Sequence, residues 1–148
     1  MSKIVPLISS CTAGPLGIIH LPRLWLKGLL GATGQLADGY KDIGPGYDYM
    51  VLGALGIKPD DARAFIHEKK PTYPQFEQWV KNYPGVKLDQ ATIFKSNAAV
   101  AGYIHRDEVR HEILGACKLA DDGSVNPGAV DLNNLDDWSA AHAAITSH

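Results

Sequence analysis

His20-Leu21-Pro22-Arg23-Leu24-Trp25-Leu26-Lys27-Gly28-Leu29-Leu30 is the stretch around which the rest of the chain is read. Pro22 suits the first turn of a helix, where a missing N–H costs nothing. Leu21, Leu24, Trp25, Gly28 and Leu29 then fall on one face at helical spacing, and His20, Arg23 and Lys27 fall together on another. The pattern predicts a helix from about Leu21 toward Leu36, apolar toward a core and carrying a narrow basic stripe. Gly28, Gly31 and Gly34 each weaken such a helix by roughly 1 kcal/mol relative to Ala. A close tertiary approach or a bend is therefore expected along that face.

Working outward, residues 1–19 hold Pro6, Gly14, Pro15 and Gly17 and read as an irregular arm laid over the domain. Downstream of the first helix, Asp38 to Gly46 is a Gly-rich loop. A second helix carries Tyr47, Met50, Val51, Ala54 and Leu55 and stops at Gly56. Lys58-Pro59-Asp60-Asp61 opens a third, with early carboxylates at the positive end of its dipole. Phe76, Trp79, Val80 and Tyr83 mark a fourth, with Thr72 as N-cap and Pro84-Gly85 as the stop. The fifth starts after Asp89 and is expected to bury Ile93, Phe94, Val100, Ala101 and Ile104. A sixth runs from about Arg106 to Ala120, with Val109, Ile113, Ala116 and Cys117 inward. A last one begins near Asn133 or Asn134, with Leu135, Trp138, His142 and Ile145 on one line. No segment alternates as a strand does. The fold class is all-α: a single domain over 1–148, six to seven short helices in 20–148 behind the arm.

At 148 residues the chain can bury a real core, and 45% hydrophobic with 20% charged residues is ordinary for a globular protein. A formal charge of -2 argues against a nucleic-acid partner, and no apolar run approaches the length of a bilayer span. The start of the chain is too short in its apolar part, and too broken by Pro6, for an export signal. Cys11 and Cys117 lack metal-ligand spacing. Free thiols in a reducing cytoplasm are the expectation.

The chemistry-bearing candidates cluster early. Arg23 and Lys27, one turn apart, suit a carboxylate or phosphate, and His20 beside them suits proton transfer near neutral pH. The alternative is that both cations pair with Asp38, Asp42 or Asp48 and fix the loop. Tyr40 and Asp48 flank the Gly-rich loop, as hydrogen-bond donor and base, or as a packed ring and a helix cap. Asn97 and His142 are polar groups on apolar stripes and need buried partners. Glu108 and His111 have the Glu-x-x-His spacing of di-metal bundles, with His105 nearby. No second such pair exists in the chain, so a solvated helix face is expected and no metal is assigned. P-loop, dinucleotide and Gly-x-Ser-x-Gly motifs are absent from the sequence.

Gly17, Leu21-Pro22-Arg23, Lys27, Gly34, Tyr40, Asp48, Leu55-Gly56-Ile57, Trp79, Asn97, Asp131 and Leu135-Asp136 followed by Trp138 together resemble a bacterial family, domain of unknown function 5069. The resemblance spans roughly residues 14–138, and Leu-Pro-Arg-x-x-x-Lys is its most specific piece. Ser96 stands before Asn97 where the family tends to have Trp, its acidic ending is only partly present, and the Ala-rich tail with His142 lies outside it. The resemblance implies a small helical fold and adds weight to Arg23, Lys27, Tyr40, Asp48 and Asn97. It implies no reaction.

These readings converge on one expectation: a hollow between the first helix, the Tyr40–Asp48 loop and the fifth helix, binding a small, partly apolar anion. Arg23, Lys27, Trp25 and Asn97 would bind it, with Trp25, Phe94 and Met50 as walls. His20, Tyr40 and Asp48 would carry any cofactor-free acid–base step of a lyase, isomerase or hydrolase. The competing expectations are a noncatalytic homodimer anchored by Trp79, Tyr83 and Trp138, and a metal-dependent helical enzyme.

Overall fold

The computed structural model describes residues 2–147. Seven helices follow the arm: α1 (Leu21–Ala32), α2 (Tyr47–Leu55), α3 (Pro59–Lys69), α4 (Tyr73–Asn82), α5 (Gln90–Ala101), α6 (Asp107–Ala116) and α7 (Ala129–Thr146). Among the described residues there is no strand, only isolated bridges that fasten loops. Among the described residues no helix is long and apolar enough to cross a membrane, and both cysteines are free.

Local chemistry sets most of the boundaries. Thr72 and Gln75 form a reciprocal capping box at the start of α4, and Asp89 accepts from Thr92 N at the start of α5. Gly56 adopts the left-handed conformation that ends α2. Helix α1 stops at Ala32, four residues short of the expected Leu36. Thr33 turns its hydroxyl back onto the Leu29 and Leu30 carbonyls, and Gly34 follows at φ 69. At the other end α7 starts at Ala129, earlier than expected, after a turn in which Asn126 Oδ1 accepts from Gly128 N.

One core holds the arm and the first five helices together. Ile18, Leu21, Leu24, Val51, Leu52, Leu55, Ile66, Phe76, Val80 and Val100 are fully buried in it. α1 lies against α2, α3 and α4, while α2 lies against α3 and α5. The close approach expected at the α1 glycines is present. A Cβ on Gly28 would sit 3.0 Å from the Ile66 side chain, and one on Gly31 would sit 2.5 Å from Asp42 Cβ. Only glycine lets α3 and the following loop come so near.

A smaller cluster, Ile113, Leu114 and Leu132, joins α6 to α7. Several apolar expectations change: Ala101 and Ala116 are exposed, as is Ile104 beyond the end of α5. Phe94 is 61% exposed, because α5 meets α2 and α7 through Ser96 and Val100 instead. The line Trp138, His142 and Ile145 is exposed, because in this part α7 meets the end of α6 through Ser139, which bonds Cys117, rather than through that line. His142 therefore needs no buried partner.

Candidate functional site

His20 closes the arm and opens α1. It sits at φ 74, a conformation that costs a side-chain-bearing residue energy, and it is 2% exposed. Its Nε2 lies 2.7 Å from Asp48 Oδ1 and its Nδ1 lies 2.9 Å from Ser10 Oγ. Burial pushes the imidazole pKa down, and this outweighs the Asp48 carboxylate that pulls it up, so the ring is neutral. Burial alone would raise the Asp48 pKa, but hydrogen bonding to His20 and the charge of Lys27 hold it below its ordinary value. An ionised Asp48 only accepts. Nε2–H of His20 therefore donates to it, and Nδ1 accepts the Ser10 hydroxyl proton.

Asp48 collects two further donors on Oδ2, Lys27 Nζ at 2.6 Å and Gly44 N at 3.0 Å. It stands in the first turn of α2 but caps none of that helix's N–H groups, the last contact running back into the loop instead. Lys27 thus pairs with one of the three carboxylates expected for it. Asp42 takes Arg63 and His67.

Arg23 pairs with none of the three. Its Nη1 and Nη2 grip Asp137 of α7 at 2.6 and 3.1 Å, and Nη1 also donates to the Pro6 and Ile8 carbonyls of the arm. Tyr40 donates its hydroxyl proton to Asp137 Oδ1 at 2.9 Å, with the Arg23 guanidinium 6.0 Å from its ring centroid. Burial, then the Asp137 contact, raises the Tyr40 pKa, so the phenol stays protonated. One side chain, Arg23, therefore ties the arm and the last helix to the first.

His20, Arg23, Lys27, Tyr40 and Asp48 all line one hollow of about 320 Å³. Met50 and Tyr47 from α2, Tyr103 and His105 from the α5–α6 connection, and Asn133, Asp136 and Asp137 from α7 complete it. Five of the seven site residues expected from the sequence are thus brought together. Trp25 and Asn97 are not among them. Trp25 donates Nε1–H to the Pro71 carbonyl and packs edge-on against Tyr73. Asn97 clamps the arm, accepting from Ile19 N at 3.0 Å and donating to Gly17 O at 2.8 Å. Of the expected walls, Met50 is in place and Phe94 faces away into solvent. The third wall is α7 rather than α5.

The hollow also contains groups that the sequence reading did not select. Asp137 shares a helix face with buried Val130, one and then two turns back through Asn133, so an acid on that apolar line was its signal. His105 bonds Asn133 at 2.8 Å. Nothing in the local pattern around Tyr103 marks it, Asp136 entered only through the resemblance, and Ser10, which bonds His20, lies outside the lining. The Glu108–His111 pair lies outside the hollow, with Glu108 exposed and His111 bonded to Asp121. Among the described residues no three His, Cys, Asp or Glu side chains converge as metal ligands would.

No family model, curated protein or solved structure matches the chain. What stands of the resemblance is its coarse content, a small all-helical domain.

Proposed function

We propose that the hollow binds a small, partly apolar molecule through an anionic group placed against Lys27. Lys27 carries the reading. Lys27 lines the cavity with its side chain 13% exposed, and among the described residues Asp48 is its single hydrogen-bond acceptor, which leaves N–H groups for a ligand. Met50, Tyr47 and Tyr103 supply apolar walls.

A cluster of buried charges is seldom the most stable way to fill a core. Groups of perturbed pKa gathered on one cavity fit recognition better than support. The same geometry favours binding over proton transfer. Both nitrogens of His20, the Tyr40 proton and both oxygens of Asp48 are already engaged. An acid–base step would require one of these bonds to open first. The finer part of the resemblance, membership of the domain of unknown function 5069 family, agrees with this placement through Arg23, Lys27, Tyr40 and Asp48.

The test is thermal stabilisation by a panel of aromatic and aliphatic carboxylates, in wild type and in Lys27→Gln. The expected result is a Tm rise in wild type that Lys27→Gln loses. A rise that survives in Lys27→Gln overturns the reading. Arg23→Ala is a poor probe, because Arg23 also anchors the arm.

A second reading, a homodimer, is favoured by Trp138 and Ile145, exposed by 62% and 73% on one side of α7. Trp79 and Tyr83 do not share that surface. Trp79 is stacked between Phe65 and Phe76, with Tyr83 against its edge. Sedimentation velocity checks it: a dimer that Trp138→Ala dissociates supports it, and a monomer at every concentration removes it.

A further inference from the structure

The charge around the hollow is unbalanced in a way that an anionic ligand alone does not answer. Arg23 and Lys27 face three carboxylates, those of Asp48, Asp136 and Asp137. Asp48 and Asp137 are each held by a cation. Asp136 makes neither an ion pair nor a side-chain hydrogen bond among the described residues, although it borders the same cavity. Burial and the neighbouring Asp137 charge both raise its pKa, so its ionised form is uncomfortable as it stands. One side of the cavity is a run of rings: His20 lies 5.3 Å from Tyr47, Tyr47 5.7 Å from Tyr103, and Tyr103 6.0 Å from His105. Aromatic faces of this kind attract cations, and more strongly where water is thinned out.

We infer that the ligand is zwitterionic: an acid group meets Lys27, and an ammonium group meets Asp136 within the same ring-lined cavity. An ammonium there supplies the positive charge that Asp136 lacks, forms a charge-assisted hydrogen bond and leaves the ligand's apolar body against Met50 and Tyr47. Small amino acids with an aromatic or aliphatic side chain are the chemical class this describes. The inference rests on the Lys27 contact proposed above.

The experiment is calorimetric titration of the full chain with phenylalanine, phenylpropanoate and phenethylamine, and with the corresponding tyrosine and leucine sets. Wild type, Asp136→Asn and Lys27→Gln are compared, and Asp136 is exposed enough for its substitution to leave the fold intact. The expected result is that one amino acid binds roughly tenfold or more tighter than either of its single-charge analogues. Asp136→Asn then brings it to the affinity of the acid and leaves the acid unchanged. If the acid matches the amino acid and Asp136→Asn alters neither, the zwitterion is overturned and the Lys27 contact stands. If the amine matches the amino acid and Lys27→Gln alters neither, the Lys27 contact falls and takes the zwitterion with it. Absence of binding by every member overturns both.

Discussion

Two buried ion networks hang from α1 one turn apart, and they differ in what they leave free. Around Arg23 the partners come from three separate segments: Asp137 takes a bidentate grip and the Tyr40 proton, while the Pro6 and Ile8 carbonyls of the arm accept from Nη1. Around Lys27 the carboxylate of Asp48 is saturated by three donors, but the ammonium is not. The first network joins segments separated by 114 positions in the chain. In the second, bonded partners are at most 28 apart, from His20 to Asp48. A network whose partners lie on the arm, the loop and the last helix rigidifies the fold, whereas Lys27, with one acceptor among the described residues, keeps donors at the cavity for a ligand. Similar residue types at helical spacing thus serve support in one case and recognition in the other.

The largest effect should come from breaking the first network. Arg23→Ala leaves Asp137 buried without its cation and the Pro6 and Ile8 carbonyls without a donor. About 3–5 kcal/mol of stability should be lost, read by chemical denaturation. A loss below about 1 kcal/mol would show that the pair behaves like a surface bridge, and the contrast between the networks would dissolve.

Asp48→Asn breaks the second network. It removes an ionised acceptor at a site that keeps polar partners, so the expected loss is smaller, about 1–3 kcal/mol. The same variant separates the networks in a second way: wild-type affinity for carboxylate ligands should change on Asp48→Asn, because Lys27 loses its anchor. Unchanged ligand affinity would detach the second network from the hollow.

The smallest and most specific effect is on pH dependence. His20 is neutral when folded, with its pKa below the ordinary 6.5. As pH falls below that value the unfolded chain binds a proton that the folded one refuses, so stability declines. Asp48, held below its ordinary 3.8, keeps its full contribution above that pH. That contribution is lost as pH falls further, through its folded pKa. The acid limb should therefore have two steps. His20→Asn, which tolerates the positive φ, should remove the upper step and leave the lower one. Retention of the upper step in His20→Asn would assign it to another group.

The fold was legible where a residue's neighbours in sequence settle its structure. Thr72, Asp89, Gly56 and the apolar spacing of Phe76 and Val80 each predict an element that the structure contains. Reading failed where burial depends on what lies opposite. Trp138 and Ile145 repeat at helical spacing yet stay mostly exposed, and Phe94 sits on the solvent side of a helix docked through Ser96 and Val100. Of the site, the basic stripe and its loop were readable, since His20, Arg23 and Lys27 are local neighbours and Asp48 follows a short loop. Trp25 and Asn97, chemically plausible, were taken up by Pro71 and by the arm.

Taken alone, the sequence determined six to seven short helices, the caps at Thr72 and Asp89, a close approach or bend at the glycines of the first helix, and a cationic face on that helix. These follow from periodicity and backbone stereochemistry, which act over a few residues. Only the tertiary structure decided which carboxylate each cation would meet, that α7 rather than α5 would wall the hollow, and that Asp136 would face it unpaired. Such pairings join residues far apart in the chain, and a charge's partner is fixed by how whole helices pack, which no local pattern encodes.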